Sequence, residues 1–327
     1  MSEVGLRPNL EPAHLEWKYW RPRADWPGPR SFVMTRGEEI LAHAAVIPGA
    51  CLFGAQAHRA RMLHLIDWAA RPTATGAGVS LLKHVGQGTD ALLAIGGSRQ
   101  TLQLLPHLGF CSVGSATCYV RPLHPARILT PSGHPASTLL PRFARSVLWA
   151  LQAPSGYAEG WNVRQVEPRE LSHLASVLPT PGPDVMVLER SEELFRYALA
   201  CPVTPMDLYL VEQAGKPRGY FLLSFAFRQA RLADCWMDSE DPGDWHVLIQ
   251  CAVRQAKRHP RAAELAAWAS DAEFSERLRE CGFHARDDLP VQIHAPRNPD
   301  LTSHTLRVQM LDNDAAYRHQ GRNELWA

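Results

Sequence analysis

Ile66-Asp67-Trp68-Ala69-Ala70-Arg71-Pro72-Thr73-Ala74-Thr75-Gly76-Ala77-Gly78-Val79-Ser80-Leu81-Leu82 decides the fold of this chain. A strand (Arg61 to Trp68) ends, a turn of small residues follows, and a helix begins. Its apolar residues Val79, Leu81, Leu82 and Val85 fall at helical spacing. Amides in the first turn of a helix lack intrahelical acceptors and carry partial positive charge. Gly76 and Gly78 remove side chains there, so an anion can come close to those amides. Taken alone, the two glycines fit a plain flexible loop equally well. The stretch is not a P-loop, because no Lys-Ser/Thr follows the glycines. Nor is it a dinucleotide fingerprint: it comes mid-domain, and no acidic residue ends a next strand about 20 residues on.

Before this stretch, Leu15 to Trp20 is an aromatic-rich helical segment ended by Pro22. Ser31 to Thr35 and Glu39 to Ile47 form a hairpin around Arg36-Gly37-Glu38. After it come a buried-type strand (Ala91 to Ile95), a helix (Ser98 to His107) with Ser98 as N-cap, and two strand pieces over Cys111 to Val120. A Pro-, Ser- and Gly-flanked connector with a helix over Ser137 to Leu151 follows. The order then recurs. Glu193 to Leu199 is a helix, and Asp207 to Glu212 with Arg218 to Phe225 is a hairpin around Ala214-Gly215-Lys216. Ala230 to Met237 is a strand, Trp245 to Arg258 a helix, Ala263 to Trp268 a strand and Ala272 to Glu280 a helix. Thr305 to Leu311 is a last strand. Leu108-Gly109-Phe110 has its counterpart in Cys281-Gly282-Phe283. Recurrence of the whole order predicts an internal duplication.

Composition agrees. At roughly 150 residues per domain, 327 residues make two domains. With 46% apolar and 20% charged residues, the chain forms a core and is neither disordered nor fibrous. Net charge is only +1, so no bulk field draws it to nucleic acid or an anionic membrane, and neither is expected as a partner. Seven scattered cysteines without a CxxC pair predict free thiols and a cytoplasmic setting. No secretory signal is expected from Met1 to Pro8, and no apolar run approaches the ~20 residues of a membrane span.

Pro72-x-x-Thr75-Gly76-x-Gly78-Val79-Ser80 resembles the acyl-CoA-binding motif of the GNAT (GCN5-related N-acetyltransferase) superfamily. The helix ending in Leu108-Gly109-Phe110 is similar to that family's second CoA-side helix. The likeness covers Leu15 to Arg121 well, and Gly160 to Leu311 by order of elements alone. It implies an α/β (α+β, mixed-sheet) fold of two tandem GNAT-like acyltransferase domains joined by a connecting helix. The N-terminal, acyl-CoA-binding domain spans 1–124, the linker and connecting helix 125–159, and a degenerate C-terminal copy 160–327. The implied cofactor-binding residues are Trp68, Ala69, Ala70, Thr75, Gly76, Ala77, Gly78, Val79, Ser80 and Ser98. Acetyl-CoA or another acyl-CoA is the implied co-substrate.

Departures from the pattern matter. Thr75 stands where the motif has Arg or Gln, which shortens one phosphate-facing side chain. Leu105 stands where many members carry the Tyr that protonates the CoA thiolate. In the second copy the phosphate turn reads Asp238-Ser239-Glu240-Asp241-Pro242-Gly243-Asp244, whose four carboxylates repel an anion. That copy is expected not to bind CoA.

By resemblance, amides of the strand around Asp67 to Ala70 hold pantetheine and polarise the thioester carbonyl. The acceptor amine attacks directly and a base takes its proton. Asp67, His64 and Tyr119 are the candidate catalytic residues, with His43 a further one lining an acceptor groove. Asp67 and His64 are three residues apart, so a regular strand points them to opposite faces unless a bulge intervenes. Each has a plain structural alternative: a turn-capping carboxylate, a core histidine, a packed strand aromatic. Trp17, Tyr19 and Trp20 are either an acceptor wall or core. No HExxH or CxxC motif points to a metal, and none is expected.

The expected activity is transfer of an acetyl or other acyl group from CoA to the amine of a small-molecule acceptor. A homodimer is compatible with the sequence. The rivals are a related transferase using an acyl carrier or charged tRNA, and an inactive scaffold that binds acyl-CoA or a partner.

Overall fold

The computed structural model describes residues 11–129, 136–154 and 160–317. In chain order, a short helix α1 (Pro12–Leu15) runs into a π-turn (Glu16–Trp20). Strands β1 (Ser31–Arg36), β2 (Glu39–Phe53) and β3 (His58–Ala70) follow, then α2 (Ala77–Gly86), β4 (Ala91–Ile95), α3 (Arg99–Leu104) and β5 (Cys111–Pro122). The connecting helix is α4 (Ala136–Gln152). Next come β6 (Trp161–Gln165), β7 (Val185–Leu188) and α5 (Glu192–Leu199). Strands β8 (Met206–Gln213), β9 (Lys216–Ala226) and β10 (Gln229–Met237) precede α6 (Pro242–Arg258), β11 (Glu264–Ala269), α7 (Ala272–Glu280), β12 (His284–His294) and β13 (Thr305–Arg307).

The mixed α/β architecture expected from the sequence is present. So is the repeated order: hairpin, strand, helix, strand, helix, strand. Strands β6, β7 and β12 are additions to the expected order, and two expected segments differ in extent. Cys111–Pro122 is one continuous strand rather than two pieces. The strand expected over Thr305 to Leu311 stops at Arg307, and the chain then turns into a 3-10 helix at Met310–Asp312. The long strand β12 carries what the final strand was expected to supply.

All described strands join one 13-stranded sheet, ordered β13-β7-β2-β3-β4-β12-β5-β11-β10-β9-β8-β6 with β1 on β2. Its centre is a reciprocal exchange. β4 of the first half pairs with β12 of the second, and β11 of the second pairs with β5 of the first. β5 and β12 pair with each other at the seam. Three cores result. One lies between α2 and strands β2–β4, with Leu63, Leu65, Leu81, Leu82 and Leu92. A second packs α6 and α7 on β8–β11 and β5, with Phe221, Leu248, Ile249, Phe274 and Leu278. The third covers the opposite sheet face across both halves, with Trp17, Met62, Leu93, Phe195 and Tyr220.

A cut in the connector separates the chain but not the sheet. Residues 1–156 expressed alone leave the β4 edge bare and β5 without either neighbour, a template for aggregation. That fragment is expected to be insoluble or self-associated. Co-expression with 157–327 is expected to restore one soluble complex, read by size-exclusion chromatography.

Candidate active site

Strands β3 and β4 run parallel and pair only over Met62–His64 and Ala91–Leu93. Beyond that they diverge, β3 continuing to Ala70 and β4 to Ile95. At the end of β3 the chain turns, and α2 starts with Gly76 as N-cap at φ +82°, where a side chain would be strained. Gly78 is tight for a second reason. A Cβ there would lie 3.2 Å from both Ala70 Cβ and the Trp68 indole nitrogen, which donates to the Gly78 carbonyl at 2.9 Å. Among the described residues, the amides of Thr75, Gly76, Gly78 and Val79 donate to no backbone carbonyl. Thr75 and Gly76 are exposed, and a Cβ on Gly76 would meet open space. The helix start therefore presents free donors and positive dipole to solvent, the requirement for an anion site. Ser98 caps α3, its Oγ accepting from the Thr101 amide at 3.1 Å. Leu105 is fully buried in the core under α2.

A bulge in β3 decides which face Asp67 takes. The β2–β3 register slips between Ala45, opposite Asp67, and Val46, opposite Leu65, so Ile66 is the extra residue. Leu63 and Leu65 face the α2 core, whereas Met62 faces the core shared by both halves. After the slip, Asp67 joins the face of Met62 and His64, and Trp68 turns towards α2. The strand thus brings Asp67 and His64 to one side, the exception allowed for in the sequence.

On that side Lys18 Nζ lies 2.6 Å from Asp67 Oδ2 and 3.0 Å from Asp314 Oδ2. Tyr19 OH donates to the same Asp67 oxygen at 2.8 Å. Consecutive side chains reach one carboxylate because Glu16–Trp20 is a π-turn, closed by Arg21 N to Glu16 O at 2.8 Å. Burial pulls the Lys18 pKa down, but Asp314 and Asp67 together raise it above its ordinary value, so the ammonium stays charged. Burial, reinforced by Asp67, pushes Tyr19 up and keeps its phenol protonated. Burial pushes His64 down to about 4, leaving a neutral ring with the Asn313 amide 3.5 Å from Nε2. His43 stands across from Ala69 on β2, its ring edge-on to Tyr19 at 5.8 Å. Its Nε2 is 3.0 Å from Ser31 Oγ, its Nδ1 has no partner among the described residues, and burial lowers its pKa.

Tyr119 lies elsewhere. It is fully buried in the core under α6 and α7, with the Arg279 guanidinium 5.4 Å from its ring centre. The fold brings Asp67 and His64 together and leaves Tyr119 apart. The acidic turn Asp312-Asn313-Asp314 reads from sequence as a solvated loop, and nothing there pairs it with Lys18. The contact of Lys18 with Asp314 spans 296 positions, and no local pattern marks it.

The second half repeats the construction and closes it. β10 and β11 pair over Gln229–Leu232 and Glu264–Ala267, then diverge. A register slip on β10 precedes Asp234, the counterpart of Asp67. Arg190 grips Asp234 with two bonds of 2.9 and 2.7 Å and reaches Asp312 at 2.7 Å, while Tyr220 OH donates to Asp234 at 2.6 Å. Each bulge carboxylate therefore has a tyrosine, a cation and a second carboxylate from the segment 309–317. The gap between β10 and β11 is filled by the chain itself. Ser270 Oγ donates to Leu306 O at 2.8 Å and accepts from Val308 N at 2.7 Å. The Gln309 carboxamide takes both the amide and the carbonyl of Cys235, at 2.9 and 2.8 Å. Arg307 lies over Trp236 and Trp245 at 4.8 and 4.6 Å, beside the start of α6. In the acidic turn, Asp241 caps α6 through the Gly243 amide at 2.8 Å.

The fold is that of the GNAT acyltransferases. A GCN5-related N-acetyltransferase from Anabaena variabilis matches with TM-score 0.57 at 13% identity, over 89% of this chain and 67% of that one. Saccharomyces cerevisiae N-myristoyltransferase, solved with myristoyl-CoA, matches with TM-score 0.58 at 12% identity, over 88% and 72%. A GCN5-related N-acetyltransferase from Kribbella flavida matches with TM-score 0.52 at 13% identity, over 83% of this chain but only 60% of its own length, less than two thirds. No sequence-family model and no curated protein matches the chain. No described helix is long and apolar enough to cross a membrane.

Proposed function

We propose that the chain is two GNAT-like units, over 1–124 and 160–327, and that the first transfers an acyl group from acyl-CoA to an amine. The contrast between the two clefts carries this reading. In the first, Ala70, Gly97 and Ser98 are exposed and Trp68 and Ala69 half-exposed, beside free helix-start amides. In the second, the equivalent tract is buried under Leu306–Gln309, with Cys235 and Met237 at 0% and 1% exposure. One cleft is open to pantetheine and one is taken by the protein's own backbone.

The residues present fit acyl-CoA. Amides of Thr75, Gly76, Gly78 and Val79, flanked by Ala77 and Ser80, would hold the pyrophosphate. The edge of β3 at Trp68, Ala69 and Ala70 would hold the pantetheine, with Ser98 at the far wall. The thioester would supply an activated acyl group, its C–S bond breaking as the C–N bond forms and the CoA thiolate leaving to take its proton from solvent. Asp67, paired with the Lys18 ammonium at 2.6 Å, orients the acceptor's amine, and neutral His43, whose Nε2 lies 3.0 Å from Ser31 Oγ, receives its proton. His64 supports the centre from beneath and does not reach solvent. The inactive-scaffold reading draws on Leu105, which fills core where a thiolate-protonating Tyr would stand.

Thermal unfolding with and without acetyl-CoA tests the reading. At about 100-fold its dissociation constant, the ligand is expected to add about 2.7 kcal/mol. Thr75→Glu places a carboxylate among the amides on an exposed residue, without backbone strain, and is expected to abolish the shift. No shift in the wild type overturns the proposal. A shift without turnover on any amine selects the scaffold.

A further inference from the structure

We infer that the acceptor is an amine carrying a planar aromatic ring and a carboxylate, as an aromatic amino acid does. This deepens the proposed transferase reading and rests on it. A groove of about 320 Å³ lies beside the site, with Tyr19, Trp20, Trp26 and Ser31 among its lining residues. Two of these residues contact the proposed chemistry: Tyr19 OH donates to Asp67 at 2.8 Å, and Ser31 Oγ lies 3.0 Å from His43 Nε2.

Two indoles and three prolines give the groove flat, stiff surfaces. Trp20 is 65% exposed, a large cost for a ring with no function there. Trp26 lies against Gly28, where a Cβ would meet the indole at 3.0 Å, between Pro22, Pro27 and Pro29. Proline fixes these loop dihedrals in advance, so little ordering remains for binding.

Charge selects the rest of the ligand. Among the described residues, the lining holds three arginines, Arg21, Arg23 and Arg30, and no acidic residue. Arg23 is held by Asp25 at 2.6 Å, and Arg30 is buried on Tyr197 and backbone carbonyls. Arg21 is exposed at the rim. A carboxylate meets Arg21 while the ring stacks on Trp20 and Trp26, and the amine reaches Asp67. Polycationic acceptors are repelled by the same arginines.

Titration of the full chain, followed by tryptophan fluorescence and calorimetry, uses L-phenylalanine, phenethylamine, L-alanine, 5′-AMP and spermidine as probes. L-Phenylalanine is expected to bind at least about tenfold more tightly than phenethylamine or L-alanine, a difference of ~1.4 kcal/mol. Spermidine is expected not to bind. Arg21→Gln should remove the preference over phenethylamine, and Trp20→Ala the preference over L-alanine. Both residues are exposed, so neither variant threatens folding, and both should keep the acetyl-CoA shift. Equal binding of all amines, preference for spermidine, binding of 5′-AMP in place of L-phenylalanine, or indifference to both substitutions overturns the inference. Because these readouts need no CoA, their failure is distinguishable from failure of the transferase reading.

Discussion

Arg190→Met is expected to destabilise the protein by about 3–5 kcal/mol, the range for removing one partner of a buried ion pair. Arg190 lies between Asp234 and Asp312, all three nearly inaccessible to solvent. With the guanidinium gone, two buried carboxylates face each other with no cation between them. Chemical denaturation of both proteins at several pH values checks this. In the wild type, burial raises the Asp312 pKa to about 6, with Asp234 adding to it and Arg190 opposing. The folded state then binds more protons than the unfolded one between 3.8 and about 6. Stability from this group is therefore present at low pH and lost as pH rises through about 6. Without Arg190 the Asp312 carboxyl moves higher still. The deficit of the variant is expected to shrink as the pH drops towards 5 and to be largest above 7. A loss independent of pH would mean that packing of the guanidinium, not its charge, matters.

His43→Gln is expected to lower kcat by about 10²–10⁴, the usual contribution of a positioned base. Burial lowers the pKa of His43, so its ring is neutral at pH 7 and can accept a proton. Activity that depends on the neutral ring falls as pH drops through that pKa, and this acid limb lies below the ordinary imidazole value of 6.5. The glutamine variant should lose the limb together with the rate. Ser31→Ala, which removes only the partner of Nε2, should shift the limb and keep most of the rate. An unchanged pH profile in His43→Gln would return the role of base to Asp67.

Much of the fold was legible because its signals are local. The Ile66–Leu82 strand, turn and helix follow from apolar spacing and two glycines, each needed for its own conformational or steric reason. The hairpins announce themselves at Gly37 and at Ala214-Gly215, where the chain takes left-handed angles. Strand β12 was missed because Asp287, Asp288 and Pro290 break any alternation. Its register slips between Ala285 and Asp288, so its two flanks follow different faces.

The sequence by itself determined the order of the elements around each hairpin, its repetition, and the place of the glycine turn before α2, since propensity, capping and periodicity act over a few residues. Tertiary structure alone decided three things: the exchange of β5 and β12, the closure of the second cleft by Leu306–Gln309, and the meeting of Lys18, Asp67 and Asp314. The extra residue at Ile66 turns one carboxylate to the face of His64, and the chain supplies its partners from 49 positions before it and from the far end of the fold. Such contacts are set by burial and charge pairing across the assembled sheet, which no short window of sequence contains.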